Sequence, residues 1–425
     1  MKVDMDIRIH SLTRVEGHGN ILVRVKEGRL EEARWEVIET PRYFEVMLKG
    51  KHYTSASVLT SRICGICSIG HALASVRATE RAFGVEVPEA AADLRLLAKH
   101  GETLQSHVLH LLFLAAPDYL GLPSVLPLVQ KDPATVALAA RLKGVANRLC
   151  DVVAGRTTHP VSIQVGGMAV FPDRKALAAC REALLAAVGD LHAVAGLFKT
   201  FKIPDFNRET EFVSLKGERE YPWIGGNLVS SDGVLRGEDD YLAMTNEFVD
   251  ARNTSKWCRL SRESFAVGAL ARFNNNHRFL VPEALALAKD VGLEPGCQNP
   301  FMNNAAQLVE CLHVAHESIL LIERLLEAPG GVTTMAEVTP RAGDGVGAVE
   351  VPRGILYHHY DYDGEGRVTR ANCIIPTTQN NLNIHLDMGA LVERLAGAGA
   401  DDASIELLCS MLVRAYDPCI SCSVH

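Results

Sequence analysis

The 425-residue chain has few aromatic residues, little excess of one charge and no long apolar run. Its 34 glycines and 18 prolines are too few for a fibrous or low-complexity chain. The 43 basic residues do not exceed the 51 acidic ones, so nothing in the charge predicts nucleic-acid binding. Because 48% of the residues are hydrophobic, the chain can bury a sizeable core, and this excludes disorder.

Signals for export and membrane insertion are also lacking. No uninterrupted apolar run approaches the ~20 residues that a membrane helix needs. The first ten residues carry acidic side chains where a signal peptide needs an apolar core. We therefore expect no direct membrane span and a cytoplasmic location, while export in complex with a signal-bearing partner stays open.

Hydrophobic periodicity predicts a mainly α (α+β) fold, in which a long-helix bundle forms the core beside a small N-terminal antiparallel β portion. Short strands are expected at residues 7–9, 21–25 and 33–38. Helices are expected at residues 72–83, 91–115, 133–153, 174–199, 303–326 and 403–416. Residues 201–235 are polar and Gly-rich, and the pattern predicts loop at residues 330–347. Residues 348–378 are predicted as irregular strand and loop, including residues 370–375.

Two Cys-x-x-Cys pairs lie near opposite ends of the chain: Cys64 with Cys67, and Cys419 with Cys422. This spacing lets two thiolates face one metal ion. A local zinc module keeps its pairs some 15–20 residues apart, whereas about 350 residues separate these. Four thiolates suit zinc, an iron–sulfur cluster, or nickel with iron. The other seven cysteines are isolated and are predicted to be core thiols: Cys150, Cys180, Cys258, Cys297, Cys311, Cys373 and Cys409.

Only a whole fold can bring such distant pairs to one metal, so we expect a single domain over residues 1–425. Within it, residues 1–60 form a β-rich N-terminal portion and residues 61–330 a helical core. Residues 331–425 form a loop and strand segment followed by the C-terminal metal-binding helix end.

The cysteine segments resemble those of the nickel–iron hydrogenase large subunits. The first has the form RxCGxCxxxH, and the last nine residues have the form DPCxxCxxH. Other segments that resemble the family are TRVEGH at 13–18, RYFE at 42–45, HVLH at 107–110, GRTTHP at 155–160, EVPRG at 350–354 and IPTT at 375–378. The resemblance thus covers essentially the whole chain and implies the hydrogenase large-subunit fold and reversible cleavage of dihydrogen.

The resemblance implies that all four cysteines bind nickel. Cys64 and Cys419 would be terminal ligands, whereas Cys67 and Cys422 would also bridge to an iron that carries carbon monoxide and cyanide. His71 would donate a hydrogen bond to a bridging sulfur, which tunes its electron density.

A second set of residues would surround the iron ligands. Arg353 would donate to a cyanide nitrogen and pair with Asp417, and Thr377, which follows Pro376, would donate to the other diatomic ligand.

Dihydrogen is a nonpolar and very weak acid, so its cleavage requires a Lewis acid and a nearby base. The candidate bases are Cys419 and Arg353. A guanidinium is essentially always protonated, which favours the thiolate. Glu16 is the candidate that carries the proton outward, because a buried glutamate has a raised pKa. The alternative is that Glu16 only caps a turn beside Gly17.

In the family, the glutamate corresponding to Glu45, the final histidine, here His425, and a main-chain carbonyl help to bind magnesium. A hard cation held by a carboxylate is reasonable chemistry. Because the chain stops at His425, the resemblance predicts the processed form, although a truncated chain would look the same.

No further cysteine set has iron–sulfur spacing, so the resemblance implies an iron–sulfur small subunit that accepts the electrons. Arg156 and His159 are expected to face it. The Ser106–His107 pair fits the cytoplasmic multisubunit branches, whose partners are linked to a nicotinamide, a deazaflavin, ferredoxin or a heterodisulfide. A hydrogen sensor, a non-catalytic relative and a zinc-bound scaffold remain alternative functions.

Overall fold

The computed structural model describes residues 4–425 and combines antiparallel sheets with long helices. In chain order the strands are β1 (Met5–Ile9), β2 (Gly19–Lys26), β3 (Arg29–Val37), β4 (Ile163–Gln164), β5 (Gly167–Met168), β6 (Glu211–Leu215), β7 (Leu228–Ser230), β8 (Leu235–Arg236), β9 (Phe265–Ala266), β10 (Gly343–Val351), β11 (Gly354–Tyr362) and β12 (Val368–Ile374). The helices are α1 (Phe44–Leu48), α2 (Tyr53–Thr60), α3 (Ser68–Phe83), α4 (Glu89–Leu109), α5 (Ala116–Tyr119), α6 (Leu126–Lys131), α7 (Pro133–Ala154), α8 (Arg174–Phe198), α9 (Tyr241–Thr245), α10 (Ala269–Asn276), α11 (Pro282–Asp290), α12 (Asn303–Glu327), α13 (Pro376–Gly397), α14 (Asp402–Ala415) and α15 (Ile420–Ser423).

The N-terminal strands form the predicted antiparallel sheet, in the order β1-β2-β3. Strand β2 alternates buried and half-buried residues, so Ile21, Val23 and Val25 point to one face. Ile21 lies opposite Trp35 of β3, whose indole is buried. Helix α13 packs on β3, and this contact joins the sheet to the C-terminal part of the chain.

Local sequence explains where the long helices begin and end. Helix α7 follows Asp132, whose carboxylate accepts a hydrogen bond from the amide of Thr135 at 3.1 Å, and Pro133 occupies its first position. It ends at Gly155, which adopts the left-handed conformation with φ 81°. Helix α8 also begins after a capping aspartate, because the carboxylate of Asp173 accepts a hydrogen bond from the amide of Ala176.

The long helices contact one another in the interior. Helix α4 packs against α7 and α12, and α8 packs against the same two helices. The segment Pro300–Glu327, which includes α12, is long and apolar enough to cross a membrane. It is the one helix within residues 4–425 that meets both conditions. Of its most apolar window, 83% is buried inside the protein, as expected for a core helix.

The structure differs from the helix predicted over residues 91–115 in the last six residues of that range. Helix α4 ends at Leu109, and the chain continues through one π-helical segment, His110–Ala115, into α5. The N-terminal bound of the helix predicted at 72–83 was also wrong, because α3 already begins at Ser68, directly after Cys67.

The strand predicted within residues 348–378 is present, but it belongs to a regular antiparallel sheet, β10-β11-β12. The predicted loop at residues 330–347 was wrong in its last part, because β10 already begins at Gly343. Strand β10 contains Gly343, Gly345 and Gly347, which hide its strand pattern. Helix α3 packs directly on these glycines: a Cβ at Gly347 would lie 2.2 Å from the carbonyl oxygen of Ala74. The glycines therefore permit a close approach between helix and strand.

Helix α13 was not predicted, because it buries polar residues where hydrophobic periodicity predicts apolar ones. Helix α13 begins with Pro376 and carries Gln379 and Asn380 on buried positions. The Asn380 carboxamide oxygen accepts from the amide of Val267, and Gln379 donates to the carbonyl of Ile355. The polar and Gly-rich segment over residues 201–235 contains strands that were not predicted from the sequence: β6, β7 and the start of β8 lie here and join β9 in a sheet of order β8-β7-β6-β9.

Candidate metal centre

The four paired cysteines converge from the two ends of the chain. The Sγ atoms of Cys64 and Cys419 are 3.5 Å apart, and those of Cys67 and Cys422 are 3.9 Å apart. All four Sγ atoms lie within 4.8 Å of one another, and every thiol is buried. This donor set fits a thiophilic metal, so the residues present agree with the expected nickel site.

Short turns present the sulfur atoms. Cys64 follows a single 3-10 turn and Cys67 directly precedes α3. The amides of Ile66 and Cys67 both point at the Cys64 sulfur, at 3.3 Å. Cys419 directly precedes α15, which carries Cys422. The backbone thus supplies donors that stabilise a thiolate.

The thiols differ in how readily they ionise. Hydrogen bonds from the three neighbouring thiols, with the charge of Arg353, hold the pKa of Cys64 well below its ordinary value. Burial raises the pKa of Cys419 and of Cys422 well above the ordinary value. Four thiolates cannot share this volume without a cation, so a bound metal is what would allow all of them to ionise.

Arg353 lies buried beside the thiols and pairs with Asp417, as predicted. Its Nε donates to the Asp417 carbonyl at 2.7 Å, and its Nη2 donates to the carboxylate at 2.9 Å. Burial alone would lower the pKa of Arg353, but Asp417 and the Cys419 thiolate outweigh it and raise the pKa well above its usual value. The guanidinium is therefore held in its charged form, which disfavours it as a base.

Asp417 and Thr377 hold the backbone around Cys419. Asp417 adopts a positive φ of 50°, and its other carboxylate oxygen accepts from Gln307 at 3.2 Å. The Thr377 hydroxyl oxygen accepts from the amide of Cys419 at 2.9 Å, which leaves the hydroxyl hydrogen available as a donor. Pro376 occupies the first position of α13 and offers no polar side chain.

Glu16 lies beside the second cysteine pair but is half-buried, so the expectation of full burial was wrong. Its carboxylate accepts hydrogen bonds from the amide of Ser421, at 3.0 Å, and from the Ser421 hydroxyl. Its carbonyl accepts from the amide of Ile420. The carboxylate therefore caps α15, as the alternative interpretation held in part, while its partner Ser421 directly precedes Cys422 along the chain.

His71 has a different hydrogen-bond partner from the one predicted. Its Nδ1 lies 3.1 Å from Nε2 of His358, whose Nδ1 is 2.6 Å from the Tyr360 hydroxyl. No bond from His71 to a sulfur is present among residues 4–425. Burial lowers the pKa of His71 to about 3, so the ring is neutral. His358 and Tyr360 were missed, because the HHYDY run gave no signal beyond a strand.

Arg42 was also missed as a site residue, although it stands in the segment that resembles the family. Its Nη2 donates to the carbonyls of Ile63, at 2.8 Å, and Ser421, at 2.6 Å. These carbonyls belong to the two cysteine-bearing segments. Arg42 therefore clamps the two ends of the chain together.

A second donor cluster lies at the C-terminus. Glu45 and His425 meet as predicted, with Oε1 and Nε2 3.5 Å apart. The sulfur of Cys373 joins them, so that all three donor atoms lie within 4.8 Å of one another. The prediction that Cys373 is only a core thiol therefore misses its position beside this cluster.

The segment that contains Arg156 and His159 runs past the first cysteine pair. His159 adopts a positive φ of 56°, and its amide donates to the Ser68 hydroxyl at 2.8 Å. It lines a groove of about 620 Å³ together with the exposed Arg62, two residues before Cys64. Arg156 is exposed. A partner bound in this groove would lie close to the cysteines.

Ser106 and His107 lie behind Arg353. The Ser106 hydroxyl oxygen is 3.4 Å from Nη1 of Arg353. His107 contacts Glu310 at 2.8 Å, and Arg272 donates two hydrogen bonds to the same carboxylate. This network is fully buried and holds the charged groups in pairs.

Known proteins match this chain over its full length. A family model described as nickel-dependent hydrogenase matches residues 42–147 and 242–425, and a second, described as HoxL-like, matches residues 6–40. The alpha subunit of sulfhydrogenase 2 of Pyrococcus furiosus is 31% identical, over 99% of each chain. One subunit of the F420-non-reducing hydrogenase vhc of Methanococcus voltae is 30% identical, over 99% of this chain and 94% of its own.

Solved structures show the same fold. An NAD+-reducing [NiFe]-hydrogenase in the H2-reduced state aligns with a TM-score of 0.90 and 28% identity, over 99% of both chains. A [NiFeSe]-hydrogenase of Dm. baculatum aligns over the full length of both chains with a TM-score of 0.79, and at 24% identity it supports the fold alone. The predicted large-subunit fold and the predicted family are confirmed. The chain belongs to the nickel-dependent hydrogenase family.

Proposed function

We propose that this hydrogenase subunit cleaves dihydrogen reversibly at a nickel–iron centre held by Cys64, Cys67, Cys419 and Cys422. The observation that carries this proposal is the convergence of four buried thiols from the two ends of the chain. All four cysteines would hold nickel, and Cys67 and Cys422 would also hold the iron. When bound, the metal pair supplies the Lewis acid that polarises dihydrogen for heterolytic cleavage.

The residues around the cysteines prepare the site for its ligands. Arg353 stays charged and is the donor for a cyanide nitrogen, and Asp417 fixes its orientation through two hydrogen bonds. Thr377 has a free hydroxyl hydrogen for the other diatomic ligand. Burial keeps His71 neutral, and because its Nδ1 faces His358, its Nε2 remains as the donor.

The proton leaves in two steps that use residues of this chain. Cys419 would take it first, because a thiolate is a better base than the charged guanidinium of Arg353 and because Cys419 pairs with Glu16 through an isolated β-bridge. Glu16 then receives it at its carboxylate, beside the Ser421 hydroxyl. Glu16 is half-buried and can pass the proton onward to water.

Electrons leave to a partner with iron–sulfur clusters. The groove beside Arg62 and His159 is the proposed docking site, because it borders the first cysteine pair and carries the exposed Val58 and Val161. The relatives are named as subunits of hydrogenases, which supports a complex of several chains. Further partners linked to a nicotinamide, deazaflavin, ferredoxin or heterodisulfide would take up the electrons, and a soluble cytoplasmic complex is proposed.

The second cluster, Glu45 with His425, would hold magnesium and so fix the C-terminal residue. We infer that residues 1–425 form a single domain. Buried apolar residues from Met5 to Val424 belong to one continuous core, which supports this organisation.

The test is dye reduction by dihydrogen in the purified complex, with nickel measured in the same sample. The wild type should reduce a viologen dye and hold one nickel per chain. Cys64→Ser should lose both, because it removes a nickel ligand. Cys409→Ala, which changes a buried thiol outside both clusters, should keep both. Full activity in Cys64→Ser would refute the proposed site.

A further inference from the structure

The HVLH segment at residues 107–110 ends in a histidine that the proposed hydrogen chemistry does not use. His110 is buried at the point where helix α4 passes into the π-helical segment, and π-helical turns within helices are frequent at functional sites. Its ring lies between two other helices. Nε2 is 2.7 Å from the carbonyl oxygen of Arg414 in α14, and Nδ1 is 2.6 Å from Oε1 of Gln307 in α12.

Gln307 connects this histidine to the candidate metal centre. Its Nε2 donates to Oδ2 of Asp417 at 3.2 Å, and Nη2 of Arg353 donates to Oδ1 of the same carboxylate at 2.9 Å. A chain of contacts therefore runs from His110 through Gln307 and Asp417 to the guanidinium beside the thiols. None of these four side chains is more than 3% exposed, so water does not compete for their hydrogen bonds.

The two ends of this chain determine where its protons lie. The Arg414 carbonyl can only accept a hydrogen bond, and the Asp417 carboxylate, ionised beside the Arg353 guanidinium, can also only accept. Gln307 must therefore turn its NH₂ group toward Asp417, which leaves its carbonyl oxygen facing Nδ1 of His110. Both ring nitrogens then face acceptors, so both must carry a proton.

The lengths of the two contacts agree with a charged ring. An ordinary N–H···O hydrogen bond is about 2.9–3.0 Å long, and bonds from a charged donor are shorter. Both contacts of His110 lie below the ordinary length. The guanidinium of Arg414 is already paired with Asp118, so Asp417 is the carboxylate to which Gln307 links the charged ring.

We propose that His110 is a buried imidazolium that, through Gln307, orients the Asp417 carboxylate and so aims the Arg353 guanidinium at the metal centre. The inference rests on the proposed function, in which Arg353 donates to a cyanide nitrogen. Asp417 adopts a positive φ of 50°, and without Gln307 its Oδ2 would lack this donor in a buried site. His110 and Gln307 are therefore positioning residues, which act through Asp417 and not on the reacting atoms.

Neutron diffraction from crystals of the perdeuterated wild-type complex tests the charge directly. Deuterium should be visible on both Nδ1 and Nε2 of His110, and the ND₂ group of Gln307 should point to Asp417. Deuterium on only one ring nitrogen would overturn the proposal. This readout does not depend on the cleavage of dihydrogen, so it can fail while the proposed function stands.

Infrared spectroscopy of the nickel-loaded complex tests the positioning role. Gln307→Leu removes the link with little change in volume, so it should shift the cyanide bands while nickel content stays at the wild-type value. Hydrogen–deuterium exchange should fall by about 10²-fold, the cost of a displacement of about 1 Å at the reacting groups. His110→Gln should shift the same bands, because its amide can reach the Arg414 carbonyl but not Gln307.

A matched control is His100→Gln, which changes another buried histidine of α4 whose partner is Ser318. Its cyanide bands should remain at the wild-type positions. Unshifted bands in Gln307→Leu, or an equal shift in His100→Gln and His110→Gln, would overturn the positioning role, as would loss of nickel from Gln307→Leu. Absence of the bands from the wild type would instead contradict the proposed function.

Discussion

Replacing Glu16 by glutamine tests the proposed proton route, because it removes the proton-carrying group with almost no change in volume. The carboxylate accepts from the amide and the hydroxyl of Ser421. A glutamine can keep the bond to the amide through its oxygen and donate to the hydroxyl oxygen through its NH₂ group. The loss in stability should therefore be about 1 kcal/mol, the difference between a charged and a neutral hydrogen bond.

The effect on proton transfer should be much larger. A positioned acid or base contributes about 10²–10⁴-fold to rate, which corresponds to about 3–5 kcal/mol of barrier. Production of HD and H₂ from D₂ in ordinary water, followed by mass spectrometry, should fall by that factor in Glu16→Gln. Nickel content should stay at the wild-type value.

A matched control is available next to this site. Glu39 is a half-buried carboxylate that accepts from His18 and lies close to Gly17. Glu39→Gln should exchange deuterium at the wild-type rate. If Glu16→Gln also exchanged at that rate with its nickel retained, the proton would leave by another route. If it lost nickel, Glu16 would act by capping α15 and not by carrying the proton.

Three further changes test the structure around the site. Arg42→Ala should lower the free energy of unfolding by about 3 kcal/mol, because two hydrogen bonds from a charged donor are lost; an unchanged melting temperature and nickel content would contradict the clamp. Tyr360→Phe should shift the infrared band of iron-bound carbon monoxide by releasing His358 and His71, whereas Tyr357→Phe, whose hydroxyl has no partner, should leave it in place. Burial lowers the pKa of His313 to about 4, so the unfolded chain binds a proton near pH 6.5 that the native chain does not. Stability should therefore fall by about 2 kcal/mol from this residue between pH 7 and pH 5, and denaturant titrations of His313→Gln should show a correspondingly flatter pH dependence.

The metal-binding role of the cysteine pairs could be predicted because each pair forms a short motif with the spacing of metal ligands. The two ends of the chain had to meet if Cys64 and Cys419 share a metal, and the fold brings them together. The N-terminal strands and the long helices could also be predicted, because alternating burial in β2 and three- to four-residue spacing in α8 follow the ordinary periods.

Other parts could not be predicted because tertiary contacts override the local pattern. The glycines of β10 reduce its strand propensity. They are needed because α3 packs so closely on β10 that a Cβ atom at these positions would clash, and this contact is not evident from the sequence. Helix α13 buries Gln379 and Asn380, whose partners lie far away in the sequence. Cys373 lacks a motif, and only the approach of β12 to the C-terminus places its sulfur near Glu45.

Infrared spectroscopy of the purified complex is the measurement that tests the central claim most directly. Bands from metal-bound carbon monoxide and cyanide should be present in the wild type and lost in Cys422→Ser, which removes a bridging ligand. Cys409→Ala should keep the bands unchanged. Absence of these bands from a nickel-loaded preparation that oxidises dihydrogen would contradict a nickel–iron centre at the four cysteines.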